Sequence, residues 1–86
     1  MSLQVYEAIV EHLKEGKKGC LATIVRRIGS SPREEGTNMF VSEGGRIFGT
    51  IGGGSLEKEV SDRALNVIKK GDPLLFEYRM DAKSVE

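Results

Sequence analysis

The 86-residue chain, with 13 basic and 13 acidic side chains and no formal net charge, fits one small domain rather than a two-domain enzyme and offers no field to draw nucleic acid or an anionic membrane. Cys20 is its one cysteine, so an intramolecular disulfide is excluded and a cysteine-based metal site has no ligand set. The thin core of so small a secreted domain would usually need staples, so the expected compartment is the cytoplasm. No signal peptide is expected, since Glu7 and Glu11 interrupt the N-terminal segment early, and no apolar run approaches the ~20 residues that span a bilayer.

Residues 3–15 read as an amphipathic helix. Leu3, Tyr6, Ile9, Val10 and Leu13 recur at spacings of three and four and form its expected buried face. Ser2 is placed to cap its start and Gly16 to stop it, with Lys17 and Lys18 near the negative end of the helix dipole. Residues 20–25 are nearly continuously apolar and β-branched, the pattern of a strand covered on both faces. Residues 28–37 are polar and turn-rich, with Pro32 steering Ser31 away from helical angles. A loop of that length in a small domain often carries function.

Two short strands follow, at 38–42 and 46–51, joined by the hairpin signal Glu43-Gly44-Gly45. Gly52, Gly53 and Gly54 lead into a second helix, about residues 55–70, whose apolar face is Leu56, Val60, Ala64, Val67 and Ile68. Gly71-Asp72-Pro73 ends it, and 74–78 reads as a final strand. The expected fold is α+β: a single domain with a small mixed sheet of about four strands and two packed helices.

Two stretches carry candidate chemistry. A strand passing through Gly52, Gly53 and Gly54 into a helix can expose backbone N–H groups to an oxyanion, with the Ser55 hydroxyl as a further donor. The plainer alternative is a sharp turn in which Ser55 caps the helix. Glu57 would repel a phosphate in such a cradle; it could instead complement the helix dipole, orient the loop, or act as a base or ligand. The second stretch is Gly29-Ser30-Ser31-Pro32-Arg33, two hydroxyls and a guanidinium suited to a bidentate grip on phosphate or carboxylate. The alternative there is an exposed arginine paired with Glu34 or Glu35. Arg26 and Arg27 point to opposite faces of a strand and read as a solvated strand end. Cys20 reads as a core residue and His12, the one histidine, as structural or solvated.

Residues 21–36, an apolar strand ending in Gly-Ser-Ser-Pro-Arg-Glu-Glu-Gly, and residues 40–57, a hairpin running into Gly-Thr-Ile-Gly-Gly-Gly-Ser-Leu-Glu, together resemble the N-terminal domain of the XdhC/CoxI family. The resemblance spans essentially all of 1–86. It implies an accessory, chaperone-like protein rather than an enzyme with turnover of its own. Such a protein binds molybdenum cofactor (molybdopterin) and delivers it for sulfuration and insertion into xanthine dehydrogenase-type molybdenum hydroxylases. Carried over, Ser30, Ser31, Pro32 and Arg33 line one side of the cofactor surface, and Gly52, Gly53, Gly54, Ser55 and Glu57 the other. Many family members carry a cysteine where Ser55 stands, and a serine hydroxyl is a harder, far less acidic ligand than a thiol. Longer relatives continue into a Rossmann-like domain. The implied partners are therefore a molybdenum hydroxylase apoenzyme or a separately encoded Rossmann-type domain; a homodimer is expected on separate grounds, because pairing would help so thin a core. Set against this reading is a non-catalytic dimerisation or docking module, since short strands leave edges that invite pairing. A small hydrolase using Glu57 as base lacks an identifiable nucleophile.

Overall fold

Ser2 accepts a hydrogen bond from the Val5 amide (3.3 Å) and so starts the first helix, α1 (Leu3–Lys14). At its other end the Gly16 amide reaches Leu13 O (3.2 Å) and the Lys17 amide His12 O (2.9 Å), with Gly16 at φ +69°. This is the paired closure that a left-handed residue permits. A computed structural model describing residues 2–26 and 35–78 continues with β1 (Gly19–Thr23), β2 (Asn38–Ser42), β3 (Ile47–Gly49) and α2 (Gly54–Lys70).

The sheet has the order β1-β2-β3 and is antiparallel throughout, with Leu21 opposite Phe40 and Phe40 opposite Phe48. It is sandwiched between the helices. Alternation along β2 sends Met39 and Val41 to one side, where they meet Ile51, Val60 and Ala64, and Phe40 to the other, where it meets Val5 and Ala8. Within α2 the expected face is the one that packs: Val60 and Ala64 are buried and Leu56, Val67 and Ile68 half-buried.

Four expectations need correction. The sheet is antiparallel, not mixed, and has three strands among the described residues, not four. Residues 74–78 form no ladder but run back along α2. There Phe76 packs on the core under the Arg63 guanidinium, 4.1 Å from its ring centre, and the Tyr78 hydroxyl lies 2.6 Å from Ser55 Oγ. The Phe76 and Tyr78 side chains tie this segment to α2, so its apolar alternation mimics a strand.

The third correction concerns strand limits and cover. β3 stops at Gly49, whose φ of +83° leaves extended geometry. β1 is covered on one side alone: Cys20 and Ala22 are half-buried toward α2, whereas Gly19, Leu21 and Thr23 are exposed because α1 lies over β2 and β3.

The fourth is the buried face of α1. It consists of Val5, Ala8, Ile9 and His12, while Leu3, Tyr6, Val10 and Leu13 are exposed. Small residues are required where the helix meets the sheet. A Cβ on Gly49 would stand 2.5 Å from Val5 Cγ2. The remaining space is filled by the His12 ring, edge-on to Phe40 and Phe48 at 5.1 and 5.9 Å between centroids. His12 Nδ1 lies 2.7 Å from Ala8 O, so its polar atom is satisfied inside the helix and its role is structural.

No helix of the described residues is long and apolar enough to cross a membrane.

Candidate functional site

The register places Thr23 opposite Asn38 and Met39 opposite Gly49, so β1 and β3 end, and β2 begins, at the same end of the sheet. The serine- and arginine-containing loop leaves from β1 and the glycine turn from β3. Both therefore depart from that one end. Ile24, at the base of the loop, donates its amide to Thr37 O (2.9 Å) and accepts from the Gly36 amide (2.7 Å). Its side chain packs on the same cluster as Ile51 and Leu56 of the glycine turn. Ser30, Ser31, Pro32 and Arg33 themselves lie outside the described residues.

The glycine turn is fixed from both sides. Ile51 is buried to 3% exposure and anchors it to the core. Beyond it Gly52, Gly53 and Gly54 all take positive φ, at +133°, +76° and +59°. No run of side-chain-bearing residues would sustain that conformation. Nothing lies within 4 Å of a Cβ built on Gly53 or Gly54, so backbone angle and not crowding demands glycine there.

What fills the turn is the chain's own carboxylate. Glu57 Oε2 accepts from the Gly53 amide at 2.9 Å, from the Ile51 amide at 3.1 Å and from the Thr50 hydroxyl, while the Gly52 amide donates to Thr50 Oγ1 at 3.2 Å. The Thr50 hydrogen bond, then the amides of Gly53, Ile51 and Gly52, hold the Glu57 carboxyl below the usual carboxylate range against the opposing effect of partial burial. Of the roles open to Glu57 in the sequence, the geometry realises the loop-orienting one.

Ser55 does not cap the helix. Gly53 occupies the N-cap position and makes no side-chain cap bond, and Ser55 turns to Tyr78. The amides of Gly54, Ser55 and Leu56 head the helix and have no intrahelical acceptor, as at any helix start. A negatively charged group meeting the turn from outside would encounter these three donors and the Ser55 hydroxyl. It would also encounter Glu57 behind them.

Thr50 and Tyr78 are the participants that sequence reasoning missed. Thr50 had a usable signal, a hydroxyl two residues ahead of a glycine run, whereas nothing local ties Tyr78 to Ser55, 23 residues earlier. Cys20 is half-buried, and burial pushes its thiol up, away from the reactive thiolate. Among the described residues no three His, Cys, Asp or Glu side chains come together as a metal site.

Three comparisons bear on this arrangement. The sequence profile of the XdhC and CoxI family matches residues 12–79. The Escherichia coli (strain K12) protein YqeB is 42% identical over 60 residues, covering 70% of this chain and 11% of YqeB. The molybdenum cofactor insertion chaperone PaoD of the same organism is 37% identical over 62 residues, covering 72% of this chain and 20% of PaoD. The chain thus spans a minor part of the length of either relative. No solved structure matches it.

Proposed function

The chain belongs to the XdhC and CoxI family, and from that membership we propose that it serves molybdenum cofactor maturation, binding the cofactor and delivering it for sulfuration and insertion into a xanthine dehydrogenase-type hydroxylase. Residues 1–86 are read as the family's N-terminal domain. The partners are the hydroxylase apoenzyme or a separate Rossmann-type domain. The similarity to PaoD, whose name states the same class of work, supports the reading.

The observation that carries it is the shared origin of the two motifs. The loop bearing Ser30, Ser31 and Arg33 and the turn of Gly52, Gly53, Gly54, Ser55 and Glu57 leave the same end of one sheet. A ligand bridging them would find Arg33 and two hydroxyls on one side. On the other it would find the helix-start amides of α2, which suit a phosphate. Glu57 takes the inner donors, so the ligand's phosphate belongs on the outer ones, at Gly54 and Ser55.

Anaerobic titration of the purified chain with molybdenum cofactor, followed by absorbance and size exclusion, tests this. Saturable binding near one per chain, weakened by Arg33→Ala and by Gly53→Asp, is expected. Binding unchanged in both variants rejects the site.

One observation favours a second reading, a docking module without cofactor of its own. The anion position of the glycine turn is already filled by Glu57. On that reading the purified chain binds no cofactor and the turn serves only to shape the surface.

A further inference from the structure

Helix α2 starts at the glycine turn and runs away from it for 17 residues, and the chain then returns alongside it. Gly71, at φ +83°, makes the reversal as the left-handed cap of the helix. On the way back the side chains alternate: Phe76 and Tyr78 are half-buried, Leu75 and Glu77 exposed. Phe76 packs on the core under the Arg63 guanidinium, and Arg63 Nε is itself held by Glu59 Oε2 at 2.6 Å. This clamp fixes the returning segment two residues before Tyr78. The phenol is thereby carried to the first turn of α2, where its oxygen lies 2.6 Å from Ser55 Oγ.

Two hydroxyls in contact share one proton and keep the other. A phenol is a far stronger acid than an aliphatic alcohol, so the shared proton is that of Tyr78, and Ser55 Oγ accepts it. The Ser55 proton is then left over, on an exposed residue, beside the helix-start amides of Gly54, Ser55 and Leu56. Without the phenol the serine hydroxyl is a free rotor whose proton has no preferred direction. Both hydroxyls are neutral, so the pair adds a donor without adding charge next to Glu57.

We propose that Tyr78 is a positioning residue for phosphate: its hydroxyl donates to Ser55 Oγ and so commits the Ser55 proton to an oxyanion held at the start of α2. The proposal rests on the phosphate position assigned to the cofactor above. Tyr78 acts through Ser55 and does not itself touch the ligand.

Two titrations of the purified chain test this side by side, inorganic phosphate followed by nitrogen-15 amide spectra and molybdenum cofactor followed anaerobically by absorbance. Phosphate should shift the amides of Gly54, Ser55 and Leu56. Tyr78→Phe, which keeps the ring, should weaken both ligands about three- to tenfold. In a Ser55→Ala background the same change should alter affinity by less than about twofold, because the hydroxyl it orients is gone. Ser55→Thr retains a hydroxyl and should restore the dependence on Tyr78.

A purely structural role would make Tyr78→Phe cost the same factor in all three backgrounds, and so would direct contact between Tyr78 and the ligand. Either result overturns the proposal, as does native affinity in Tyr78→Phe or the absence of a phosphate response at the three amides. Saturable cofactor binding alongside any of these outcomes leaves the cofactor reading standing. Conversely, a phosphate site that depends on Tyr78 through Ser55, in a chain that binds no cofactor, refutes that reading alone.

Discussion

The carboxylate of Glu57 lies 2.9 Å from the backbone nitrogen of Gly53, four residues before it, and so the helix reaches back to close the turn that precedes it. A glycine turn at a helix start ordinarily offers its amides to whatever anion arrives. Here the first anion belongs to the chain. That arrangement supplies order without a ligand, and it restricts an incoming ligand to donors that Glu57 leaves over.

Removing this acceptor should cost stability out of proportion to its exposure. In Glu57→Ala the amides of Gly53 and Ile51 and the Thr50 hydroxyl lose their partner together. We expect a loss of about 1–3 kcal/mol, read as a fall in the urea midpoint at constant slope. Glu57→Gln keeps a neutral oxygen acceptor and should lose roughly half as much. Equal stability of all three proteins would mean that water replaces the carboxylate at no cost.

The same bond makes stability depend on pH. The folded carboxyl is held below its ordinary value, so the unfolded chain binds the proton more readily. The contribution is complete above the unfolded carboxyl range, near pH 4.3, and is lost as pH falls through the lower folded value. The difference in urea midpoint between the native chain and Glu57→Gln should be constant near neutrality and shrink on acidification. A difference that grows as pH falls would reverse the sign assigned to the shift.

Two glycines separate crowding from backbone strain. Gly49 and Gly45 both have φ near +85° (+83° and +89°), but a Cβ at Gly49 meets Val5 Cγ2 at 2.5 Å and Asn38 O at 3.2 Å, whereas one at Gly45 meets nothing within 4 Å. Gly45→Ala should cost about 1–2 kcal/mol from left-handed strain alone. Gly49→Ala should add another ~1–3 kcal/mol by pushing α1 off the sheet. Thermal unfolding resolves such a gap easily in a domain of this size, at roughly 4–8 °C per kcal/mol. Equal shifts for the two variants would show that Val5 moves aside freely.

Much of this architecture was legible because local signals agreed. Ser2 and Gly16 delimit α1, the three strand cores and the hairpin at Gly44-Gly45 are where turn chemistry puts them, and the packed face of α2 follows its period. The errors arose where hydrophobicity outvoted shape. Leu3, Tyr6 and Leu13 are more apolar than Ala8 and His12, yet Phe40, Phe48 and the close approach at Gly49 leave room for the small residues and one flat ring. Residues 74–78 alternate like a strand because they lie on a helix through alternate side chains, Phe76 and Tyr78. In the candidate site the turn and Glu57 were visible, whereas the Ser55–Tyr78 contact rests on tertiary packing that no local pattern encodes.

Ser55→Cys gives a last prediction, since it restores the cysteine that many family members carry there. Position 55 lies in the first turn of α2, where the helix start favours a negative charge, and the Tyr78 hydroxyl, 2.6 Å from Ser55 Oγ, is placed to donate to a thiolate. Glu57, the nearby charge that would oppose ionisation, is turned into the loop and engaged there by three donors. The new thiol should therefore ionise below the ordinary ~8.5 of a free cysteine. Cys20, which burial pushes the other way, is replaced by serine so that one thiol titrates. Thiolate absorbance against pH, or the pH dependence of alkylation, gives the value, and Tyr78→Phe in the same background should move it back up. A titration at or above the free-cysteine value would mean that the charge on Glu57 outweighs the helix start. The glycine turn would then repel anions even at its outer donors, counting against the phosphate position proposed for the cofactor.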